Sequence, residues 1–145
     1  MDFRREATDK LRCYESKRQS LHRLADEIRR LEDEFYNIRG AVSVDAPVSG
    51  GGELREDAVV NNIALRGELA RAKKSTEDWL RIVDGALDSL TDEERHVLIG
   101  MYVNQHKGGV DRLCAELHVE KTALYTRRNN ALRHFTMALY GVTEL

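Results

Sequence analysis

The sequence predicts an all-α protein made of a long antiparallel, coiled-coil-like helical hairpin and a C-terminal module of three short helices. Only one proline occurs in 145 residues and 6% of the residues are aromatic, which favours long helices over strands. Two long stretches repeat apolar residues at helical spacing. A third stretch, after residue 90, reads as three short helices with a tight turn between the last two.

The first helix is predicted to begin near Phe3 and to end at Gly40. From residue 21 onward its apolar residues advance by alternating steps of three and four, which is the spacing of a coiled-coil seam. Arginines and glutamates fill the flanks, as they do on a solvated helix surface. The seam comprises Leu21, Leu24, Ile28, Leu31, Phe35 and Ile38.

A flexible loop is predicted over about residues 40–55. This stretch holds the only proline and three consecutive glycines, which disfavour a continuous helix. A phosphate-binding loop would require a following Gly-Lys-Ser/Thr and a preceding strand. The sequence has neither, so nucleotide binding is not expected here.

The second long helix is predicted from about Glu56 to Leu90, with a seam that includes Leu69, Trp79 and Val83. Two long helices joined by one loop fold back on each other, so residues 1–90 are interpreted as one hairpin domain. One apolar stripe per helix buries a thin core. We therefore expect a homodimer or a higher homo-oligomer that forms through the seams of both helices, including Leu69, Trp79 and Val83; Trp79 could instead mark a partner-binding surface.

Residues 91–145 are predicted to form the C-terminal module. Thr91 and Glu94 have the spacing of a capping box at the start of its first helix. The second helix is expected from about Val110 to Leu117, residues 118–120 form the turn, and the third helix runs from about Lys121 to Tyr140. The predicted buried stripe of the third helix comprises Leu124, Ala131, Phe135, Ala138 and Leu139.

Two helices joined by a tight turn are the arrangement with which a helix-turn-helix places its second helix in the major groove of double-stranded DNA. Residues 118–135 carry four basic side chains against Glu120 alone. Base contacts are expected near the start of the third helix, and phosphate contacts from arginines and from the preceding helix. The predicted DNA-binding residues are Lys121, Thr122, Tyr125, Thr126, Arg127, Arg128, Asn129, Arg133, Lys107 and Arg112.

The module resembles region four of bacterial sigma factors. The resemblance rests on Leu90, on the Glu-Arg-His-Val-Leu run at 94–98, on the turn at 115–119 and on Ala-Leu-Arg at 131–133. The layout of the whole chain is similar to small phage and prophage regulators of the ArpU and RinA type. The resemblance implies that the third helix reads a promoter or an operator. His118 stands where glycine usually makes the turn, and Arg127 and Arg128 replace at least one apolar residue.

Little in the sequence points to an enzyme, a cofactor or a metal site. Cys114 and His118 lie four residues apart, but zinc needs three or four ligands and no second pair has suitable spacing. Cys13 and Cys114 are expected to be free thiols. No run of about 20 apolar residues is present and the N-terminus has no apolar signal core. A cytoplasmic protein that does not enter membranes is therefore expected.

The function that the sequence favours is a sequence-specific DNA-binding transcriptional regulator of phage or mobile-element origin. One alternative is a helical inhibitor or adaptor whose long helices bind a host or phage protein, such as a polymerase or a defence nuclease. Another is a DNA-packaging subunit resembling a small terminase, in which a helix-turn-helix is joined to oligomerising helices.

Overall fold

The computed structural model describes residues 1–40 and 52–142, and this part of the chain is helical apart from short turns, with no strand. The all-α prediction is confirmed, and the two long helices pack together. A short π-helical turn, Ile99–Val103, directly follows the third helix. The α-helices are α1, Phe3–Gly40; α2, Gly52–Asp88; α3, Asp92–Leu98; α4, Gly109–Leu117; and α5, Lys121–Tyr140.

Helix α2 begins at Gly52, four residues before the predicted start at Glu56, so the predicted loop over residues 40–55 was too long at its C-terminal end. The remainder of that loop, residues 41–51, lies outside the described residues.

The contacts divide the chain into two compact units that differ from the predicted domains. Unit 1 contains Met1–Arg18 and Asp78–Leu145, and unit 2 contains Gln19–Glu77. Both long helices contribute to both units, so the compact units do not separate at residue 90. The first and last parts of the predicted hairpin belong with the C-terminal helices because they share a core with them.

The first core of unit 1 joins the N-terminal residues of α1 to the ends of α2 and α5. Phe135 is the largest side chain buried there and has no exposed surface. Trp79 packs on the edge of this core. The buried members are Ala7, Leu11, Val83, Ala86, Leu87, Leu90, Leu98, Ala131, Leu132 and Phe135.

The second core of unit 1 lies under the C-terminal helices and contains Val97, Leu113 and Leu124, with half-buried neighbours on α4 and the following turn. The π-helical turn inserts one residue into the helical repeat, and the Asn104 amide donates to the Ile99 carbonyl over 2.8 Å. Just before the turn, Val97 faces the second core and Leu98 the first; within it, Met101 packs on the second core and Tyr102 and Val103 on the first.

Local hydrogen bonds fix the start of α3. The predicted capping box is confirmed: the Glu94 amide donates to the Thr91 hydroxyl over 3.2 Å, and the Thr91 amide donates to the Glu94 carboxylate over 3.3 Å. The Arg95 guanidinium donates to the carbonyls of Leu87 and Leu90, at 3.2 and 3.3 Å. Carbonyls at a helix C-terminus lack helical partners, so Arg95 joins the end of α2 to α3.

A tyrosine–carboxylate pair links α1 to α2 within unit 1. The Tyr14 hydroxyl donates to the Asp84 carboxylate, and both side chains are half-buried. Burial and this hydrogen bond raise the pKa of Tyr14 to about 12. The folded state therefore favours the neutral phenol.

Tyr14 is expected to make the stability of the protein fall at alkaline pH. Since its pKa rises from about 10 in the unfolded chain to about 12 in the folded chain, this stabilisation is present below the unfolded value and is lost between the two. Urea unfolding of the wild type and of Tyr14→Phe across that range measures the effect. The gap between the two proteins should narrow as pH rises.

The matched control is Tyr36→Phe, because Tyr36 is a 71% exposed tyrosine in unit 2. The free energy of unfolding of Tyr36→Phe should show the same pH dependence as that of the wild type. An equal pH dependence in wild type and Tyr14→Phe would contradict the role given to the Tyr14–Asp84 hydrogen bond.

Unit 2 has little buried interior. Among its described side chains only Leu31, Asn62 and Thr76 are buried. The Asn62 amide donates to the Leu31 carbonyl over 2.8 Å, and its carbonyl oxygen accepts from Arg66 over 2.8 Å. The Arg66 guanidinium lies over the Phe35 ring, 4.7 Å from its centroid. A buried amide that must meet its partner favours one register of α1 against α2.

The seam residues predicted for oligomerisation are all covered to some degree within a single chain. Leu31 and Val83 are buried, with 3% and 1% of their surface exposed, so they offer almost no surface to a second chain. The others are half-buried, and their role between chains stays a prediction. They are Leu21, Leu24, Ile28, Phe35, Ile38, Leu69 and Trp79.

Candidate nucleic-acid interface

Helices α4 and α5 are joined by the three-residue turn expected from the sequence. His118 adopts the left-handed conformation, with φ 55° and ψ 45°, so a histidine occupies the position where glycine is usual. The Val119 amide donates to the Cys114 carbonyl over 3.0 Å and closes the end of α4. Glu120 is extended and α5 begins at Lys121, which fixes where the exposed face of α5 starts.

The first half of α5 presents one polar face to solvent. Its buried side is held by Leu124, which is fully buried in the second core. Thr122, Thr126, Asn129 and, further along, Arg133 lie on the opposite side, and Lys121 and Tyr125 lie at its edges; all six are exposed, Tyr125 at 39%. This face consists of Lys121, Thr122, Tyr125, Thr126, Asn129 and Arg133, all of which were predicted DNA-binding residues.

The second half of α5 is more deeply covered than the sequence suggested. Leu132 and Thr136 are buried, although the predicted stripe omitted both. Ala138, which the stripe included, is exposed. The reason is that α5 packs on the first core beyond residue 130, so a wider arc of the helix is covered. Apart from Arg133, the candidate face is therefore confined to the first nine residues of α5.

Three of the candidate cations already face carboxylates. The Lys121 ammonium lies 3.5 Å from the Asp111 carboxylate, and the Arg112 guanidinium donates to Glu116 over 3.1 Å. Arg127 pairs with Glu93 on α3. These pairs are solvent-exposed, and such pairs typically contribute only about 0–1 kcal/mol. An incoming phosphate can therefore displace the carboxylates.

Arg128 has a different environment. Its guanidinium stacks on the Tyr125 ring, 4.8 Å from the centroid, and donates to the Asn129 side-chain oxygen over 3.0 Å. Arg128 is thus a half-buried side chain stacked on an aromatic ring of the polar face. Tyr125, Arg128 and Asn129 thus form an aromatic, cationic and amide cluster, chemistry suited to base edges.

Two further candidates, Lys107 and Arg133, are exposed and make no ion pair with any described residue. Lys107 immediately precedes Gly108, whose φ of 80° starts α4. Both side chains can reach a phosphate without losing a protein partner.

The position of α5 against α3 depends on Glu94 and His134. The His134 ring nitrogen hydrogen-bonds to the Glu94 carboxylate, and sequence reasoning did not identify this contact. Burial tends to raise the pKa of Glu94, but hydrogen bonds from His134 and Thr91 outweigh it and lower that pKa below its usual value. The capping box of α3 is thereby linked to the middle of α5.

A small hollow of about 230 Å³ lies between the π-helical turn and α4. The Glu116 carboxylate at its edge hydrogen-bonds to His96 over 2.8 Å and to Arg112; the His96 bond is the larger reason that the pKa of Glu116 is lowered. No group of three or more His, Cys, Asp or Glu residues suited to a metal ion occurs in the described part of the chain.

Comparisons with protein-family models, curated proteins and solved structures found no match to this chain. The resemblance to sigma-factor region four and to ArpU- and RinA-type regulators therefore stays a prediction. Separately, none of the helices in residues 1–40 and 52–142 combines the length and apolar character needed to cross a bilayer.

Proposed function

We propose that the protein is a sequence-specific DNA-binding transcriptional regulator in which α4, the turn at 118–120 and α5 act as a helix-turn-helix. The observation that carries the proposal is the polar face of the first half of α5. Its six side chains are exposed and begin directly after the turn. In a helix-turn-helix this end of the second helix enters the major groove.

The chemistry of that face supports base readout. Arginine and asparagine are the side chains that most often form bidentate bonds with guanine and adenine. Arg128 and Asn129 are adjacent, and stacking on Tyr125 holds the Arg128 guanidinium. A held guanidinium loses less conformational freedom on binding than a mobile one. Arg128, for which the sequence predicted a phosphate contact, is therefore proposed as the main specificity residue.

The surrounding cations are suited to phosphate contacts. Lys121 and Arg127 sit in exposed ion pairs, while Lys107 and Arg133 point into solvent. Each phosphate contact releases counterions from DNA, so binding should weaken as salt increases. The acidic partners Asp111 and Glu93 favour a protein that binds its site more tightly than random duplex, because they reduce the sequence-independent attraction.

Arg128→Ala and Lys121→Ala are expected to weaken DNA binding. The loss should be about 5- to 150-fold for Arg128, since a good base contact contributes roughly 1–3 kcal/mol. Lys121→Ala should lower affinity for all sequences and reduce the slope of log affinity against log salt by about 1. Fluorescence anisotropy with duplex fragments from upstream of the protein's own gene, and with random duplex of equal length, measures both.

Arg29→Ala is the matched control. Arg29 is an exposed arginine of unit 2 in a 2.7 Å ion pair with Asp26. Arg29→Ala therefore removes the same positive charge as the α5 variants but leaves α5 unchanged. Its affinity should stay near that of the wild type. Unchanged affinity in both α5 variants would remove the assignment of the site. Absence of wild-type binding at micromolar protein near about 100 mM salt would remove the proposed function.

A further inference from the structure

Helix α2 carries a second apolar stripe on the side opposite its contact with α1. Asn62 and Thr76 mark the covered side. On the other side lie Val60, Ile63, Ala64 and Gly67, whose spacing of three, one and three residues places them on one helical face. Val60 and Ile63 are 62% and 51% exposed. These two exposed apolar side chains are neighbours on the helix, and Ala64 and Gly67 continue the face without charge.

The charges at the two ends of this outer stripe have opposite signs. Glu56 lies one turn before Val60, and Arg71 lies one turn after Gly67, on the same face. In the described residues, neither side chain takes part in an ion pair. The Arg71 guanidinium instead lies beside Gly67, 3.6 Å from the position that a Cβ atom would take. The stripe is therefore acidic at its start, apolar in the middle and basic at its end.

From this arrangement we infer that the outer stripe of α2 binds the same stripe of a second copy of the chain, with the two helices antiparallel and a two-fold axis between Ile63 and Ala64. In that register Glu56 meets Arg71 of the partner subunit, and Arg71 meets the partner subunit's Glu56. A two-fold interface must be complementary to itself, and this sequence of charges satisfies that requirement.

The shapes agree with the same register. Val60 lies opposite Gly67 of the partner subunit, and Ile63 lies opposite the partner's Ala64, so each large side chain meets a small one. Small residues allow two helices to approach closely, and large side chains on the facing helix fill the space. A parallel pairing would instead place Val60 on Val60, Gly67 on Gly67 and glutamate on glutamate, so both shape and charge would conflict.

Unit 2 also has a physical need for such a contact. Leu31 is its only buried apolar residue among the described side chains, and a two-helix pair of this kind buries too little apolar surface to be stable alone. Covering Val60 and Ile63 in two copies at once adds the missing burial. The inference depends on α2 alone and is independent of the DNA-binding proposal.

Sedimentation equilibrium of the full chain tests the interface. The wild type should have twice the monomer mass at micromolar concentration. Ile63→Asp should raise the dissociation constant of the dimer by about tenfold or more, because a two-fold interface contains the substituted residue twice. Ile82→Asp is the matched control. Ile82 is a 58% exposed isoleucine of the same helix, and its two-fold counterpart would precede Gly52, where α2 begins.

Charge reversal tests the register. Glu56→Arg and Arg71→Glu should each weaken the dimer by about fivefold or more at low salt, because each places like charges opposite each other twice. The double variant restores opposite charges and should return the dissociation constant to near the wild-type value. Circular dichroism checks that each variant keeps its helices.

The inference would be overturned by a monomeric wild type across the concentration range, by a dimer that survives Ile63→Asp unchanged, or by a double reversal no tighter than the single ones. A larger assembly would also contradict a two-fold pairing. Because no DNA is present in these measurements, their failure leaves the proposed function of α5 unaffected, and failure of DNA binding leaves the dimer unaffected.

Discussion

Phe135→Ala is expected to lower the free energy of unfolding by about 3–5 kcal/mol, the range typical of a fully buried phenylalanine. Phe135 has no exposed surface, and the first core around it joins residues of α1, α2, α3 and α5. Removing the ring leaves a cavity that all four helices border. Urea unfolding followed by circular dichroism measures the change.

Tyr125→Ala is the control for that experiment, because Tyr125 lies on the same helix, is aromatic and is 39% exposed. Its loss should cost much less stability while altering the candidate DNA-binding face. A cost for Phe135→Ala no larger than that for Tyr125→Ala would mean that the first core does not hold the helices as described.

Gly100→Ala is expected to destabilise the protein by about 1–3 kcal/mol, as overpacking of a core does. A Cβ atom at Gly100 would lie 2.9 Å from a methyl group of Leu113, which is closer than carbon atoms normally approach. Leu113 is 4% exposed and belongs to the second core, so a shift of its side chain disturbs the packing there. Thermal unfolding with matched urea titrations measures the loss.

Gly85→Ala is expected to have the opposite effect, an increase in the stability of the protein. A Cβ atom at Gly85 meets nothing within 4 Å, and Gly85 lies inside α2. Replacing an unconstrained helical glycine by alanine stabilises by about 0.4–1 kcal/mol. If Gly100→Ala stabilised the protein as Gly85→Ala is expected to, that result would contradict the close packing of α4 against the π-helical turn.

Features encoded by neighbouring residues could be predicted from the sequence. The capping box needs only Thr91 and Glu94, and the turn at residues 118–120 needs only a short stretch between two helical patterns, so both followed from local pattern. The α5 face that carries Lys121 and Tyr125 followed from helical spacing. These features depend on contacts within a few residues, and the structure shows them where the sequence placed them.

Features that depend on distant residues could not be predicted. Leu132 is buried because α5 shares a core with Ala7 and Leu11, more than 100 residues earlier in the chain, and no helical repeat reveals that partner. The Arg127–Glu93 and His134–Glu94 pairs depend equally on how α3 packs on α5. The π-helical turn has no simple sequence signature, and it appears where Gly100 allows Leu113 to pack closely.

The first core also has a consequence for how the chain folds as it is synthesised. Ala7 and Leu11 leave the ribosome more than 100 residues before Ala131 and Phe135, which belong to the same core. Contacts between residues so far apart in sequence form late because closing the intervening chain costs entropy. The N-terminal turns of α1 therefore keep an apolar face uncovered until α5 has been synthesised, and apolar surface exposed in this way favours aggregation.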